Sequence, residues 1–262
     1  MAPGIRVAPS LDDKLALLGG AAAYDHSCAC GDSGPRQRGG DGRWIYPAVL
    51  PSGRRSFILK VLQQAGCERG CAYCVERHGG VVAAKACSAK SPAGNAGQGL
   101  SFTPDELARV FLRLRAAGRV EGLFLSSAIR GGAVASMDRL LATAELLRRR
   151  HQFRGYLHLK ILPGAESAQV ERAMQLATRV SINMEAPGAP HLARIAPGKS
   201  FARHILDPMR QVARAQAEGR FRRAGQTTQF VVGAADETDR DIASAAAWLY
   251  GDLRLARVYY SG

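Results

Sequence analysis

The run Phe57-Ile-Leu-Lys60-Val-Leu62 is followed, five residues on, by Cys67-Glu-Arg-Gly-Cys71-Ala-Tyr73-Cys74. The first part is short, aliphatic and bounded by polar residues, which reads as a buried strand. The second gathers three thiols in the loop that leaves it. Three thiolates can hold three corners of a four-iron, four-sulfur cube, whereas a fully protein-ligated cube takes four. The iron left without a cysteine keeps an open position, the same logic that separates a catalytic zinc from a structural one. A small molecule can bind there and receive an electron. Zinc is the other reading, because His78 lies four residues past Cys74 and completes a Cys3His set with Cys67, Cys71 and Cys74.

Beyond this loop, short apolar segments alternate with helical stretches. Strands are expected over 57–62, 120–126, 156–161, 179–184, 227–232 and 256–260, and helices over 104–117, 137–150, 167–177, 201–217 and 238–250. Thr103-Pro104-Asp105-Glu106 is a capping box with proline at the first helical position. Ser136, Ser167, Ser200 and Asp236 are the expected caps of the later helices. Six strands alternating with helices predict an α/β fold with a parallel sheet, open or closed into a barrel. The domain organisation that follows is an N-terminal extension over 1–54 and a barrel over 55–262. In the extension, Ser10 caps an amphipathic helix and a Gly/Pro/Arg-rich loop leads to Trp44-Ile-Tyr46. Residues 79–100, rich in Gly, Ala and Ser, read as an insertion before the first barrel helix.

Strands buried on both faces should be apolar throughout. Several here alternate instead. Tyr156, His158 and Lys160 share one face against Leu157, Leu159 and Ile161, Ser181, Asn183 and Glu185 oppose Val180, Ile182 and Met184, and Thr227 and Gln229 oppose Thr228, Phe230 and Val232. A barrel with a polar lumen accounts for this, and in such barrels chemistry sits at the carboxyl ends of the strands, where Cys67 to Cys74 lies. His158 and Lys160, pointing into the same chamber, are candidate catalytic groups for positioning an anion or relaying a proton. Arg130 is a candidate partner for a carboxylate or phosphate. Lys199 reads as a loop lysine.

The 262 residues carry 36 Lys+Arg against 22 Asp+Glu, a formal charge of +14. That excess favours polyanionic partners, nucleic acid first. A solvated arginine-rich surface is the competing account, and Arg148-Arg149-Arg150, ending an expected helix, needs no ligand to explain it. No run approaches the ~18 apolar residues of a membrane span. Asp12 and Asp13 stand where a signal peptide needs positive charge, so a reducing cytoplasm is expected and clustered thiols mean metal or redox chemistry. Cys28, Cys30 and Cys87 lack partners at metal-ligand spacing and read as free thiols.

With Cys67, Cys71 and Cys74 at this spacing, aromatic Tyr73 before the third, and βα repeats behind them, residues 55–262 resemble the radical S-adenosylmethionine enzymes. The resemblance implies a partial (β/α)6 barrel. It also implies a [4Fe-4S] cluster whose open iron is chelated by S-adenosylmethionine, and reductive cleavage of that cofactor to a 5′-deoxyadenosyl radical. Gly122-Leu-Phe-Leu-Ser126-Ser127 falls where the family has a Gly-Gly-Glu-like segment for the methionyl amino group, with serines in place of the glutamate. Ser181, Asn183 and Glu185 fall at the ribose-binding strand end. Phe230-Val-Val-Gly233 and Val258-Tyr259-Tyr260-Ser261 fall at the two adenine-contacting segments. Tyr73, Ser126, Ser127, Ser181, Asn183, Glu185, Gly233 and Tyr260 are therefore the cofactor contacts that the resemblance implies.

The segments 122–127, 153–160, 224–229 and 257–260 narrow the resemblance to a radical S-adenosylmethionine subfamily associated with DNA modification or repair. Its members are partnered with a uracil-DNA-glycosylase-like protein and carry a C-terminal helix-hairpin-helix element. These 262 residues stop after the sixth expected strand and hold no counterpart of that element. The partners implied are DNA, that glycosylase-like protein, and an electron donor such as a flavodoxin or ferredoxin. RNA or a small molecule as target, and a zinc-stabilised basic nucleic-acid-binding module without catalysis, are the readings that remain beside it.

Overall fold

A computed structural model describes residues 9–22, 44–49, 55–77, 100–221 and 224–262. His78, the insertion up to residue 99, Cys28, Cys30 and Cys87 lie outside the described residues. One seven-stranded sheet runs in chain order. Its strands are β1 (Ile45–Val49), β2 (Arg55–Leu62), β3 (Gly122–Ser126), β4 (Leu157–Lys160), β5 (Arg179–Ser181), β6 (Gly225–Val231) and β7 (Arg257–Ser261). From β2 to β7 every pairing is parallel. The helices are α1 (Leu11–Ala21), α2 (Pro104–Ala116), α3 (Ala133–Glu145), α4 (Ser167–Leu176), α5 (Ala189–Ile195), α6 (Asp207–Ala217) and α7 (Asp239–Gly251). Helix α3 runs on through a π-helical turn (Leu146–Arg150), and another (Phe201–Leu206) leads into α6. This curled, mostly parallel sheet with helices between its strands is the partial barrel expected from the sequence.

Two elements were not expected. Strand β1 pairs antiparallel with β2, Ile45 opposite Leu59 and Val49 opposite Arg55, so the sheet gains an edge strand from the N-terminal extension. It holds Pro47, which a sheet tolerates at an edge because no partner needs its missing N–H. Helix α5 is short and preceded by Gly188, with Pro190 in its first turn, and residues 187–198 carry too much Gly and Pro to read as helical. Strand β5 is also shorter than expected. Past Ser181 the ladder is taken over by a side chain. Thr228 Oγ1 donates to the Ile182 carbonyl at 2.7 Å and accepts from the Met184 amide at 2.9 Å.

The helix caps hold in part. Thr103 and Glu106 form the reciprocal capping box, and Ser10 with Asp13 forms another on α1. Ser200 caps its π-helical turn. Ser136 does not cap: the N-cap of α3 is Gly132, four residues earlier, and the buried Ser136 hydroxyl accepts from Gln64 Nε2 at 2.9 Å and the Arg130 amide at 3.0 Å. Glu166 and Thr238 take the N-cap positions assigned to Ser167 and Asp236.

One face of each inner strand is spent on the core. Leu59, Val61, Leu123, Leu125, Leu157, Leu159 and Val180 are wholly buried, together with Leu107, Phe111, Leu140 and Met209 from the helices. Leu125→Ala should therefore cost about 2–5 kcal/mol of stability through lost burial and the cavity left behind. Thr103→Ala should cost only about 1 kcal/mol, one cap bond. Urea unfolding of the metal-free protein measures both.

Candidate metal centre and cofactor cavity

The chain leaves β2 through Gln63 and Gln64, both buried. Gln63 donates to the Phe102 carbonyl at 2.8 Å and accepts from the Thr143 hydroxyl at 2.8 Å. Gln64 donates to the Ala128 carbonyl at 2.9 Å, tying the exit of β2 to the loop after β3. Beyond them the cysteine loop folds back on itself. The Cys67 amide donates to the Glu76 carbonyl at 2.7 Å, the Gly66 amide to the Glu76 carboxylate at 2.7 Å, and the Cys74 amide to the Cys71 carbonyl at 3.0 Å. Cys67, Cys71 and Cys74 are free thiols, Cys71 buried and the others half-buried.

All three thiols line one cavity of about 270 Å³ at the carboxyl ends of the strands. Its walls also include Tyr73, Ser126, Ser127, Lys160, Asn183 and Glu185, so the structure brings nine of the thirteen site residues expected from sequence to one place. Among the described residues no three His, Cys, Asp or Glu side chains are grouped as a single metal ion would need. Three thiols on one cavity wall are the donor set that would suit a cube with one iron left open. Burial pushes the Cys74 thiol above its ordinary pKa, and the negative charges of Cys67 and Cys71 add to the effect against a backbone hydrogen bond and Lys160.

The remaining four expected residues lie elsewhere. His158 is one layer deeper, with its ring 4.4 Å from Phe124 and its Nδ1 3.3 Å from the Tyr156 hydroxyl. Ser181 is buried beneath the cavity, level in register with Lys160 and Thr227. Gly233 has a φ of 78° and gives its amide to the Glu237 carboxylate outside the lining. Tyr260 projects from the opposite face of β7, 53% exposed and stacked on Phe230. The alternation of β7 explains that placement: register pairs Ser261 with Val231, and these two, with Gln229, line the cavity while Tyr260 turns outward. Arg130 is not a lining residue.

Three charged residues of the wall were passed over or undervalued in the sequence. Lys199, read as a loop lysine, donates to the Tyr73 hydroxyl at 2.7 Å and to Glu185 Oε1 at 3.2 Å. Both members of the Lys199–Glu185 pair are more than nine-tenths buried. Burial, with the Glu185 carboxylate next in weight, raises the Tyr73 phenol well above its usual pKa. Glu185 itself sits at a φ of 66°, a conformation that costs a non-glycine residue on the order of 1 kcal/mol or more. Its backbone is held by bonds to the Gln229 carbonyl and from the Val231 amide. Arg69 and Glu76, one inside the cysteine loop and one just after it, also line the cavity. The signal available for Lys199 was its position after the fifth strand, on the rim where barrels place their chemistry.

A partial barrel with this rim is an architecture seen in solved structures. No family model matches this sequence, and no curated protein sequence does either. Among solved structures it is similar to the radical S-adenosylmethionine methyltransferase TsrM from Kitasatospora setae with tryptophan substrate and a cofactor analogue bound. The TM-score is 0.55 at 16% identity over 86% of this chain and 39% of that one. A TsrM structure with cobalamin and a [4Fe-4S] cluster gives 0.53 at 14% identity over 76% of this chain and 35% of that one. The FeFe-hydrogenase maturase HydG from Carboxydothermus hydrogenoformans gives 0.54 at 14% identity over 76% and 43%. The chain thus spans less than half the length of these proteins, and what it shares with them is the fold.

The buried pair yields a direct test. Glu185→Leu leaves the Lys199 charge uncompensated and should cost about 3–5 kcal/mol, whereas the double variant Glu185→Leu, Lys199→Met should recover most of that loss. Urea unfolding of the metal-free single and double variants checks it.

Proposed function

We propose that this protein is a radical S-adenosylmethionine enzyme, with a [4Fe-4S] cluster held by Cys67, Cys71 and Cys74. The observation that carries the reading is the position of those thiols. They stand at the carboxyl end of the first parallel strand, facing a cavity walled by the ends of the strands that follow. When bound, the cluster supplies one electron and S-adenosylmethionine the radical that removes hydrogen from a substrate. The chain's own part is to hold and orient. Ser126 and Ser127 suit the methionyl amino group, and Asn183 with Glu185 suits the ribose diol. The wholly buried aliphatic faces of β3 and β4 seal the far side of the sheet from water. Lys160 is one of the cations on that wall, near Cys74, that would meet an anionic group.

For substrate we propose a base in nucleic acid, DNA before RNA. The supports are the +14 charge and the sequence resemblance to a DNA-associated subfamily. A uracil-DNA-glycosylase-like protein and a flavodoxin- or ferredoxin-like electron donor are the partners in this reading, and the cytoplasm its compartment. Among the described residues no helix is long and apolar enough to cross a membrane. A small-molecule substrate is the second reading, favoured by the modest cavity and by the tryptophan bound in the similar TsrM structure.

Anaerobic reconstitution should give a brown protein with about four irons per chain. Dithionite and S-adenosylmethionine should then release 5′-deoxyadenosine. Cys71→Ala should lose both the chromophore and the product. Colourless protein with one zinc per chain, or a reconstituted cluster that leaves the cofactor intact, would overturn the assignment. Mass spectrometry of nucleosides from cells with and without the protein separates DNA, RNA and small-molecule targets.

A further inference from the structure

Strands β2 to β7 run parallel, so their carboxyl ends gather at the cavity and their amino ends at the opposite end of the sheet. The two ends use their arginines differently. At the cavity end most are spent: Arg69 on two carbonyls, Arg139 on the Gln64 side chain and Arg194 on Asp236. At the opposite end, Arg115, Arg154, Arg214, Arg254 and Arg257 are exposed and make no ion pair among the described residues. Arg115 and Arg214 lie in the last turns of α2 and α6, where a cation complements the helix dipole and needs no ligand. That account does not reach the other three. Arg154 stands in the turn before β4, Arg254 in the turn before β7, and Arg257 opens β7. Arg254 is held there at a φ of 49°, where glycine would be unstrained.

Carboxylates do not balance this end. Arg220 takes Glu171 at 3.2 Å and Glu218 at 2.9 Å. The other carboxylates of these turns, among the described residues, are Glu121 and Asp252, against five guanidinium groups. Two hollows open between them. One of about 690 Å³ has Arg210, Arg214 and Arg254 on its walls, with Asp207 and Asp252 among them. The other, of about 610 Å³, has Arg115 and Glu121. The five arginines follow the amino ends from β3 to β7, an arc of about 20 Å at the usual strand spacing. A single small anion cannot bridge that arc, but a polyanion charged along its whole length can. An anionic membrane would ask for exposed apolar side chains, and Val120, Phe153, Leu253 and Leu255 of the same turns are buried.

We propose that the amino-terminal end of the sheet is a docking face for the phosphodiester backbone of nucleic acid. The guanidinium fork matches phosphate oxygens in pairs, which suits arginine at these positions. The polymer is held at one end of the sheet, and the cavity at the other stays free for a segment of it or for a separate small molecule. The face therefore depends neither on the cluster nor on the choice of substrate.

Fluorescence anisotropy of the metal-free protein with a labelled DNA duplex about two turns long tests it. Binding should weaken steeply with salt. Combining Arg154→Gln, Arg254→Gln and Arg257→Gln should lower the slope of log affinity against log salt by about 2–3 and weaken binding about tenfold or more. Lysine at the same three positions should keep the slope. Arg109→Gln, Arg203→Gln and Arg240→Gln together remove as much charge from exposed arginines that also make no ion pair among the described residues but stand elsewhere. That control should change the slope by less than about 1. Thermal melting checks folding. Should the triple variant not fold, Arg154→Gln and Arg257→Gln alone should each lower the slope by about 1. The proposal fails if no duplex binds, if the control loses as much as the face variant, or if phosphatidylserine vesicles bind where the duplex does not. Release of 5′-deoxyadenosine is read separately, so the face and the cofactor chemistry can fall independently.

Discussion

The alternation of side chains along β2 to β6 is the constraint on which the rest depends. Successive residues of a strand face opposite ways. Once Leu59, Val61, Leu123, Leu125, Leu157, Leu159 and Val180 are committed to the helices, their neighbours have only the concave side left. Lys60, Phe124, His158, Ser126, Lys160, Ser181 and Thr227 are placed there by arithmetic. Parallel register then levels them, Lys160 beside Ser181 and Ser181 beside Thr227. Because all six strands run the same way, every exit loop gathers on one rim, and the cysteine loop has no other place to lie.

That logic explains which parts of the molecule were legible in the sequence. The six parallel strands and most helices were, because their apolar periodicities are unambiguous over several residues. The cysteine loop was legible because thiol spacing is a local signal. Strand β1 was not. Its five residues carry a proline and gain their status only by pairing with β2, a contact that leaves no local trace. The end of β5 was misjudged for a similar reason. Thr228, 46 positions from Ile182, replaces a backbone ladder with a hydroxyl. Tyr260 failed differently: a strand-end position was credited to its ring, when the register of β7 gives the inner side to Ser261.

Lys199 and Arg69 expose the limit of reading charge from sequence. Among 36 basic residues, these two carry no distinction in the sequence. Their significance lies in where the chain folds them. Lys199 meets Glu185 and Tyr73 inside a dry wall, whereas Arg113 and Arg194 make ion pairs in the open. Exposed pairs are worth little, with a typical value under about 1 kcal/mol. A buried pair couples its two segments, because neither charge can leave without stranding the other.

The coupling matters because of what it joins. Tyr73 stands between Cys71 and Cys74, and Glu185 stands where β5 gives way to a strained turn that bridges to Phe230. Lys199 connects the two. Glu68 and Arg69 tie the same loop to the segments after β3, β4 and α5, Glu68 by accepting from the Gly131 amide at 3.0 Å. The cysteine loop is therefore fixed by contacts to the neighbouring segments of the rim. A loop free to wander would have to be ordered at the moment of binding, at roughly 1–2 kcal/mol per residue of backbone entropy. Here those contacts meet that cost in folding.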